Sequence, residues 1–472
     1  MPAAEGAERG GNLRALGLIQ VFRLVSGFAI NILLMRGLGV EGFGVYGYVI
    51  ILVNLATFSA TLGMDRLIKR EIARAPERTA RYVATGLAAS LLLSAVTFLG
   101  ILAWTLGVDG RPTVAVAAAI ASVALTLRAL ALIPVSAFHG RRRMGLGVLG
   151  EGIGRTVLVG ATALFVALRF GVVAVFVAQV LDAAVTFAIL WHTYRRQISR
   201  EALATTWADI GGLLRQAVPF GLNSLFVGVY LTVDVILLGR MRGDTEVGLY
   251  RGAVMLRSLF PIIADTISTG LYPRMAQHLG DREAAGRELH FASRILLAVS
   301  VPVAVGGVMT AEPLMVLLGG AEFAASAPLF ALMVPLLPLR FLDNAYGMVL
   351  QALNRPADQT RGSMIASVVN VTANLLLIPR YGALAAAFNT LLTEVVLIIW
   401  LRARIAPLIT GGGMLRTLVR VGLPVACMAV VIHFLPPVHV LLTIGVGGTV
   451  YAAVGLATGA WHPRDLQRLR RV

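Results

Sequence analysis

The sequence predicts an all-α polytopic membrane protein of fourteen transmembrane helices: two parallel six-helix repeats followed by two extra helices. Three observations carry that prediction. Apolar stretches long enough to cross a bilayer recur almost evenly along the chain, arginines crowd every second gap between them, and two short motifs recur about 200 residues apart. Hydrophobic residues make up 57% of the chain, charged residues 14%, and mean hydropathy is +0.81, more apolar surface than a soluble fold can bury.

A crossing needs about 20 mostly apolar residues, and lipid gives open backbone groups no partner, so the spans are read as helices. The first six lie near 13–35, 41–64, 82–106, 112–138, 144–168 and 170–193. Six more follow near 216–238, 247–273, 291–311, 326–352, 362–379 and 381–401. The extra pair lies near 414–434 and 438–460. Pro134, Pro219, Pro261, Pro302, Pro335, Pro338 and Pro424 fall in or at the edges of spans, where each can remove a helical hydrogen bond.

The net charge of +17 would point to nucleic acid in a soluble protein, but its distribution points to topology. With the N-terminus inside, and Arg14, Arg294, Arg416 and Arg420 near inner span ends counted with the inner segments, 29 of the 41 basic residues are inner, 6 lie in outer turns and 6 within spans. The inner set includes Arg66 to Arg81, Arg141 to Arg143, Arg195, Arg196, Arg402, Arg404, Arg464, Arg468, Arg470 and Arg471. The outer set is Arg36, Arg111, Arg169, Arg240, Arg242 and Arg380. This positive-inside bias predicts that both termini are cytoplasmic. The basic, partly amphipathic segments 65–81 and 278–294 are expected to lie on the anionic inner leaflet. Arg23 interrupts the first apolar stretch, which is read as a retained span rather than a signal peptide.

The turn Arg36-Gly-Leu-Gly-Val-Glu-Gly-Phe-Gly-Val-Tyr-Gly47 is echoed, with one residue of slip, by Arg240-Met-Arg-Gly-Asp-Thr-Glu-Val-Gly-Leu-Tyr-Arg-Gly252. Arg169-Phe-Gly-Val-Val-Ala is echoed by Arg380-Tyr-Gly-Ala-Leu-Ala, with Gly171 and Gly382 suited to tight turns. Six spans per copy is an even number, so the copies insert in the same sense. The expected lobes are 13–196 and 211–405, with 414–460 holding helices thirteen and fourteen. Parallel repeats of this kind are a transporter architecture built around a central cavity.

Ionisable groups inside spans are costly and mark substrate or ion routes. Arg23, Arg128, Arg155, Arg257 and Arg340 lie near span middles and are the substrate-binding candidates, because guanidinium is always charged and grips phosphate with two parallel donors. The competing reading makes them structural, bonded to helix-end carbonyls. The in-span acids are Glu151, Asp182, Asp234, Asp265, Asp343 and Glu394. Helical spacing pairs Glu151 with Arg155 and Arg340 with Asp343. Asp182 and Glu394, at matching depths in spans six and twelve, are the ion-coupling candidates, able to exchange a proton or hold Na⁺. Salt bridges from them to Arg128 or Arg257 remain the alternative.

Enzymatic signatures are missing. The only lysine, Lys69, is followed by Arg70, so there is no Walker A motif. Seven scattered histidines and the single Cys427 give no metal site and no disulfide, and there is no G-x-S-x-G elbow. No cofactor is expected, and the chain reads as a non-enzyme.

The segments Leu38-Gly-Val-Glu-Gly-Phe-Gly-Val-Tyr46 and Leu62-Gly-Met-Asp-Arg-Leu-Ile-Lys-Arg-Glu-Ile-Ala-Arg74 resemble the polysaccharide-biosynthesis flippases. These form the Wzx-type branch of the MATE-like MOP (multidrug/oligosaccharidyl-lipid/polysaccharide) exporter superfamily. Asn370-Val-Thr-Ala-Asn-Leu-Leu-Leu-Ile-Pro-Arg-Tyr-Gly-Ala-Leu-Ala-Ala-Ala387 is similar to the family's Ile-Pro-x-Tyr-Gly-x-x-Gly-Ala-Ala signature, with Ala385 in place of a glycine.

The resemblance implies a flippase for undecaprenyl-pyrophosphate-type lipid-linked oligosaccharide in the bacterial cytoplasmic membrane. Its partners would be the anionic lipid-linked glycan, H⁺ or Na⁺, membrane lipids, and the polymerase and glycosyltransferases of the same process, with no nucleic acid. A cation-coupled drug or metabolite antiporter of the same superfamily is the alternative. A membrane glycosyltransferase or polymerase ranks lower for want of a catalytic loop, and a non-transporting assembly scaffold ranks last.

Overall fold

Helix α1 (Pro2–Thr61) would be about 90 Å long if straight, some three times the thickness of a hydrocarbon core, and Gly39 breaks it. There φ is 66° and ψ is −174°, a backbone state only glycine takes without strain. The computed structural model describes residues 2–277, 281–408, 414–436 and 438–460. The arginines Arg464, Arg468, Arg470 and Arg471, the side chain of Pro219 and the start of the basic segment 278–294 lie outside the described residues.

After α1 come α2 (Met64–Arg74), α3 (Thr79–Trp104), α4 (Pro112–Gly140), α5 (Gly145–Ala167) and α6 (Gly171–Gln197). They are followed by α7 (Trp207–Met241) and α8 (Asp244–Arg257). Pro112 and Pro76 sit at the first turns of their helices, where a missing N–H costs nothing. Arg169 (φ 55°) and Gly171 (φ 77°) make the tight α5–α6 turn predicted from the sequence. Thr206 starts α7 with a reciprocal capping box to Asp209.

The chain continues through α9 (Pro261–Gln277), α10 (Arg282–Met309), α11 (Ala311–Gly319), α12 (Ala327–Met333) and α13 (Leu336–Ala352). It ends in α14 (Pro356–Ile405), α15 (Met414–Phe434) and α16 (Val440–Ala457). Proline explains two breaks. Pro261 opens α9 after a gap of three residues from the end of α8, and Pro335 separates α12 from α13, across a 45° bend measured from the short 3₁₀ turn before α12. Helix α14 repeats the device of α1, its 50 residues holding Gly382 at φ 57°, ψ −136°.

Among the described residues there is no strand. Among the described residues, ten helical runs are long and apolar enough to cross a membrane, or eleven if the bent pair at Pro335 is one span. That count by length and composition is lower than the fourteen read from the sequence. Two of the runs, 19–74 and 356–405, contain the Gly39 and Gly382 breaks at which the sequence places turns.

The chain divides into two compact units, residues 1–248 and 249–472. In the first, α4 packs against α3 and α6, α6 against α5, and α1 against α4, α5 and α7. Helix α2 is amphipathic as expected, but its apolar face does not lie open to lipid. Met64, Leu67, Ile68 and Ile72 are buried in a core with Ile133, Phe138, Leu190 and Tyr194, each worth about 1.5–3 kcal/mol of removal from water. In the second unit, α13 packs on α9, α10 and α14, while α15 packs on both α10 and α16. The Tyr451 hydroxyl of α16 donates to the Ala298 carbonyl of α10 at 2.6 Å.

Candidate functional site

Helical spacing brings the charged candidates of the first unit to common ground. Arg23, Gly27 and Asn31 follow one another on α1, Ala121, Ala124 and Arg128 on α4, Glu151 and Arg155 on α5, and Gln179, Asp182 and Thr186 on α6. These faces line two cavities of about 330 and 230 Å³ that share Thr57, Arg128 and Arg155 as a common wall. Small residues make the room, above all Gly27, where a Cβ would sit 2.9 Å from Arg155 Nη2.

Within this wall each cation has a different partner. Arg128 Nη2 donates to Asp182, whose other oxygen accepts from the Thr186 hydroxyl at 3.3 Å. Asp182 is buried, its side chain 8% exposed, while Arg128 stays half open at 49%. Arg23 faces Glu151 at 3.6 Å. Arg155 has no carboxylate partner among the described residues. Its Nε donates to Ser26 Oγ at 2.8 Å and its Nη2 to the Arg23 carbonyl at 3.3 Å. The expected pair of Glu151 with Arg155 therefore does not form. Three guanidiniums and two carboxylates leave one positive charge in excess, in a place where the sequence reading asked for an anion site. Ser26, Asn31, Asn54, Thr57, Gln179 and Thr186 were not singled out from the sequence; helical spacing from Arg23 was the available signal for Ser26 and Asn31 and from Asp182 for Gln179 and Thr186, whereas Asn54 and Thr57, beyond the Gly39 break, had none.

The second unit holds the counterpart. Arg340 Nη1 donates to Asp343 at 3.1 Å, as the sequence spacing predicts, and to Glu394 at 3.2 Å. Both carboxylates are about nine-tenths buried, and each keeps a buried oxygen with no hydrogen-bond partner, Asp343 Oδ1 and Glu394 Oε2. Beside Glu394, Thr393 accepts from Asn370 at 3.2 Å, and Asn370 accepts from Asn374 at 3.0 Å through its side chain and from Asn389 at 2.8 Å through its carbonyl. Arg128 with Asp182 and Arg340 with Glu394 are each 54 residues apart, and one offset of 212 residues relates the pairs. The internal repeat thus extends to a duplicated salt bridge, and Glu394 pairs with Arg340 rather than with Arg257. Arg257, at the end of α8, is half-buried with a buried Nε that has no hydrogen-bond partner among the described residues, and it joins neither cluster.

At one end of the first unit a clasp forms on Arg111. It donates to both oxygens of Asp109 at 2.6 and 2.8 Å and to Asp244 at 2.6 Å, and it lies 4.9 Å over the Tyr48 ring. Those bonds, to Asp109 first and then Asp244, hold its guanidinium well above the ordinary arginine range. The two echoed turns meet here. A Cβ on Gly44 would run into the Asp244 carbonyl, and a Cβ on Gly248 into the Val40 carbonyl. At the other end, Arg81 grips Asp209 at 2.7 and 3.3 Å, tying α3 to the start of α7.

Comparison with known proteins matches this architecture. Residues 11–279 fit the family described as polysaccharide biosynthesis protein, and residues 219–376 fit the MatE family. A probable low-salt glycan biosynthesis flippase, Agl15 of Haloferax volcanii, is 22% identical over 360 residues, covering 76% of this chain and 75% of the relative. The probable flippase AglR of the same organism is 25% identical over 255 residues, covering 51% and 53%. The solved structure of the lipid II flippase MurJ in an inward closed conformation aligns with a TM-score of 0.76 at 14% identity, over 95% of this chain and 99% of that one. An inward-facing multidrug resistance MATE transporter of the MOP superfamily aligns with a TM-score of 0.64 at 17% identity, over 84% and 98%. At such identities these likenesses establish the fold. With more than half its length matched to the family, this multi-pass membrane chain belongs to the polysaccharide biosynthesis proteins and has the MOP superfamily fold.

Proposed function

We propose that the protein is a flippase for lipid-linked oligosaccharide, undecaprenyl-pyrophosphate-type, moving repeat units across the cytoplasmic membrane by alternating access. The observation that carries the proposal is Arg155, a cation without a carboxylate partner lining both cavities between the paired Arg128 and Arg23. A pyrophosphate arriving there exchanges a hydroxyl and a carbonyl for charge-assisted, two-pronged bonds. Arg23 and Arg128 complete the anion subsite, with Arg257 and Arg340 the further cationic candidates of the second unit. Lobes 13–196 and 211–405, with helices at 414–460 beside them, and cytoplasmic termini complete the proposed arrangement. With the inside negative, the potential favours outward movement of each negative charge by about 2.3 kcal/mol per 100 mV.

Coupling to H⁺ or Na⁺ is assigned to Asp182 and Glu394. The unpartnered buried oxygens beside Arg340 support Glu394 as the stronger of the two. Unchanged dependence on the ion gradient in Glu394→Gln would remove that role. The polymerase and glycosyltransferases of the same process are the proposed partners, and no chemistry on the substrate is assigned to this chain.

The test is headgroup exposure of a fluorescent lipid-linked oligosaccharide in vesicles carrying the purified protein. Arg155→Gln should slow exposure by about 10- to 100-fold, the worth of a charge-assisted hydrogen bond, while leaving insertion unchanged. Wild-type rates in that variant would end the assignment. The MatE match over 219–376 favours a second reading, a drug or metabolite antiporter. Cation-driven efflux of a soluble dye, with no exposure of lipid-linked sugar, would establish it instead.

A further inference from the structure

Helix α9 carries Asp265, Ser268, Thr269 and Tyr272 at a spacing of three, four and seven residues, which puts all four on one face. Across from them α13 presents Asn344 and Gln351, seven residues apart and so also on one face. The two stripes line an open cavity of about 360 Å³ in the second unit, within the range of about 300–1,000 Å³ typical of ligand pockets. It shares no residue with the arginine cluster or with the Arg340 network.

The lining is polar and open-handed. Among the described residues, Asp265, Ser268, Thr269, Tyr272 and Asn344 make no side-chain hydrogen bond, and only Gln351 reaches a neighbour, Gln359, at 3.3 Å. Ser268 Oγ is fully buried without a partner. A buried polar group left unpaired costs about 1–3 kcal/mol, which falls on Ser268; Asp265, Thr269 and Tyr272 are exposed and Asn344 is half-buried, so their free donors and acceptors stand ready for a polar ligand. A carboxylate, hydroxyls and primary amides are acceptors and donors matched to vicinal diols, and a half-open phenol ring such as Tyr272 offers a flat apolar face to a pyranose. No lysine, arginine or histidine lines the cavity, so its one formal charge is the negative charge of Asp265.

We infer that this cavity is a glycan subsite that accepts uncharged sugars and turns away acidic ones. The inference rests on the flippase reading, since it gives the sugar portion of the substrate a place separate from the pyrophosphate at Arg155. Selection comes from Asp265: a uronate carboxylate entering the same cavity meets a like charge with no cation to offset it, whereas the corresponding hydroxymethyl group donates to it.

The experiment measures binding of three probes to the purified full chain in detergent: farnesyl pyrophosphate, farnesyl pyrophosphate carrying glucose, and farnesyl pyrophosphate carrying glucuronate. The glucosyl probe should bind about 10-fold more tightly than either of the others, the worth of roughly one hydrogen bond. Asp265→Asn, which keeps an acceptor and removes the charge, should bring the glucosyl and glucuronyl affinities to within about 2-fold. Asn344→Ala should weaken the glucosyl probe and leave bare farnesyl pyrophosphate unchanged. Equal wild-type affinities for the two sugar probes, an unaltered preference in Asp265→Asn, or an equal loss for all probes in Asn344→Ala would each overturn the subsite. Arg155→Gln should weaken the three probes alike. If it weakens none, the pyrophosphate assignment fails, while the ratio between the sugar probes still judges the cavity at Asp265.

Discussion

Gly44→Ala puts a methyl group where the structure has least room for one. The Cβ would run into the carbonyl oxygen of Asp244, with the Gly248 amide nitrogen 3.0 Å away. The reciprocal change, Gly248→Ala, drives its Cβ into the Val40 carbonyl. Both obstacles are backbone, so no side chain can swing aside; one turn must retreat from the other by about an ångström. Overpacking of this kind costs about 1–3 kcal/mol. In a helix with no steric obstacle, Gly→Ala instead stabilises by about 0.5–1 kcal/mol, so the two readings differ in sign. If transport requires these echoed turns to part, the strain biases the parted state by about 5- to 150-fold. The double variant should show little more than either single one, because the second methyl enters a gap the first has opened. Spin labels at the exposed Glu41 and Arg242, in a Cys427→Ser background, read the separation directly. A long-distance population that grows in each single variant and no further in the double is the expected result. Unchanged distances together with raised thermal stability would refute the close approach itself.

Two further outcomes follow from the charged contacts. Asp182→Asn should lower stability by about 1–2 kcal/mol in detergent unfolding, below the 3–5 of a fully buried pair because Arg128 is half exposed; adding Arg128→Gln should recover part of it, and strictly additive losses would show that the pair carries no coupling. Asp209, held below the usual carboxylate range by Arg81 and Thr206, contributes stability that is present above about pH 4 and lost as pH falls through its depressed folded value. Asp209→Asn should therefore lose less thermal stability than the wild type between pH 5 and pH 3, and an equal loss would refute the contribution.

What the sequence made legible, and what it hid, divides along physical lines. Apolar length and arginine spacing report the spans, and glycine reports the backbone reversals: Gly39, Gly171 and Gly382 all adopt positive φ. The sequence assigns Arg23, Arg128, Arg155, Asp182 and Glu394 a position along their spans, but the direction each faces depends on neighbours the sequence does not identify. The spacing of Glu151 and Arg155 predicts a local pair, yet the missing side chain of Gly27 opens a notch on α1 that draws Arg155 toward Ser26 and leaves Glu151 to Arg23. The strong amphipathicity of α2 reports that one face is covered without saying by what; the cover is protein, chiefly α4.

The duplication shows how one ancestral arrangement could serve two purposes. Both units keep an arginine bonded to a carboxylate 54 residues later, and at that shared offset their surroundings differ by charge. Arg155 of the first unit corresponds to Ser367 in the second, and Asp343 of the second corresponds to Ala131 in the first. Each substitution tips a neutral pair in a different direction. The pair in the first unit gains a cation without a carboxylate partner, and the pair in the second gains a buried carboxylate with an unpartnered oxygen. An anion is the natural guest of the former and a cation of the latter. A single exchange therefore tests the scheme more sharply than removal of any one group: Arg155→Ser with Ala131→Asp should give the first unit the charge balance of the second. Such a variant should lose affinity for farnesyl pyrophosphate about 10- to 100-fold, as Arg155→Gln does, while gaining a new response of its stability to Na⁺ or pH. Retained pyrophosphate affinity would show that the excess positive charge does not govern what the first cavity binds.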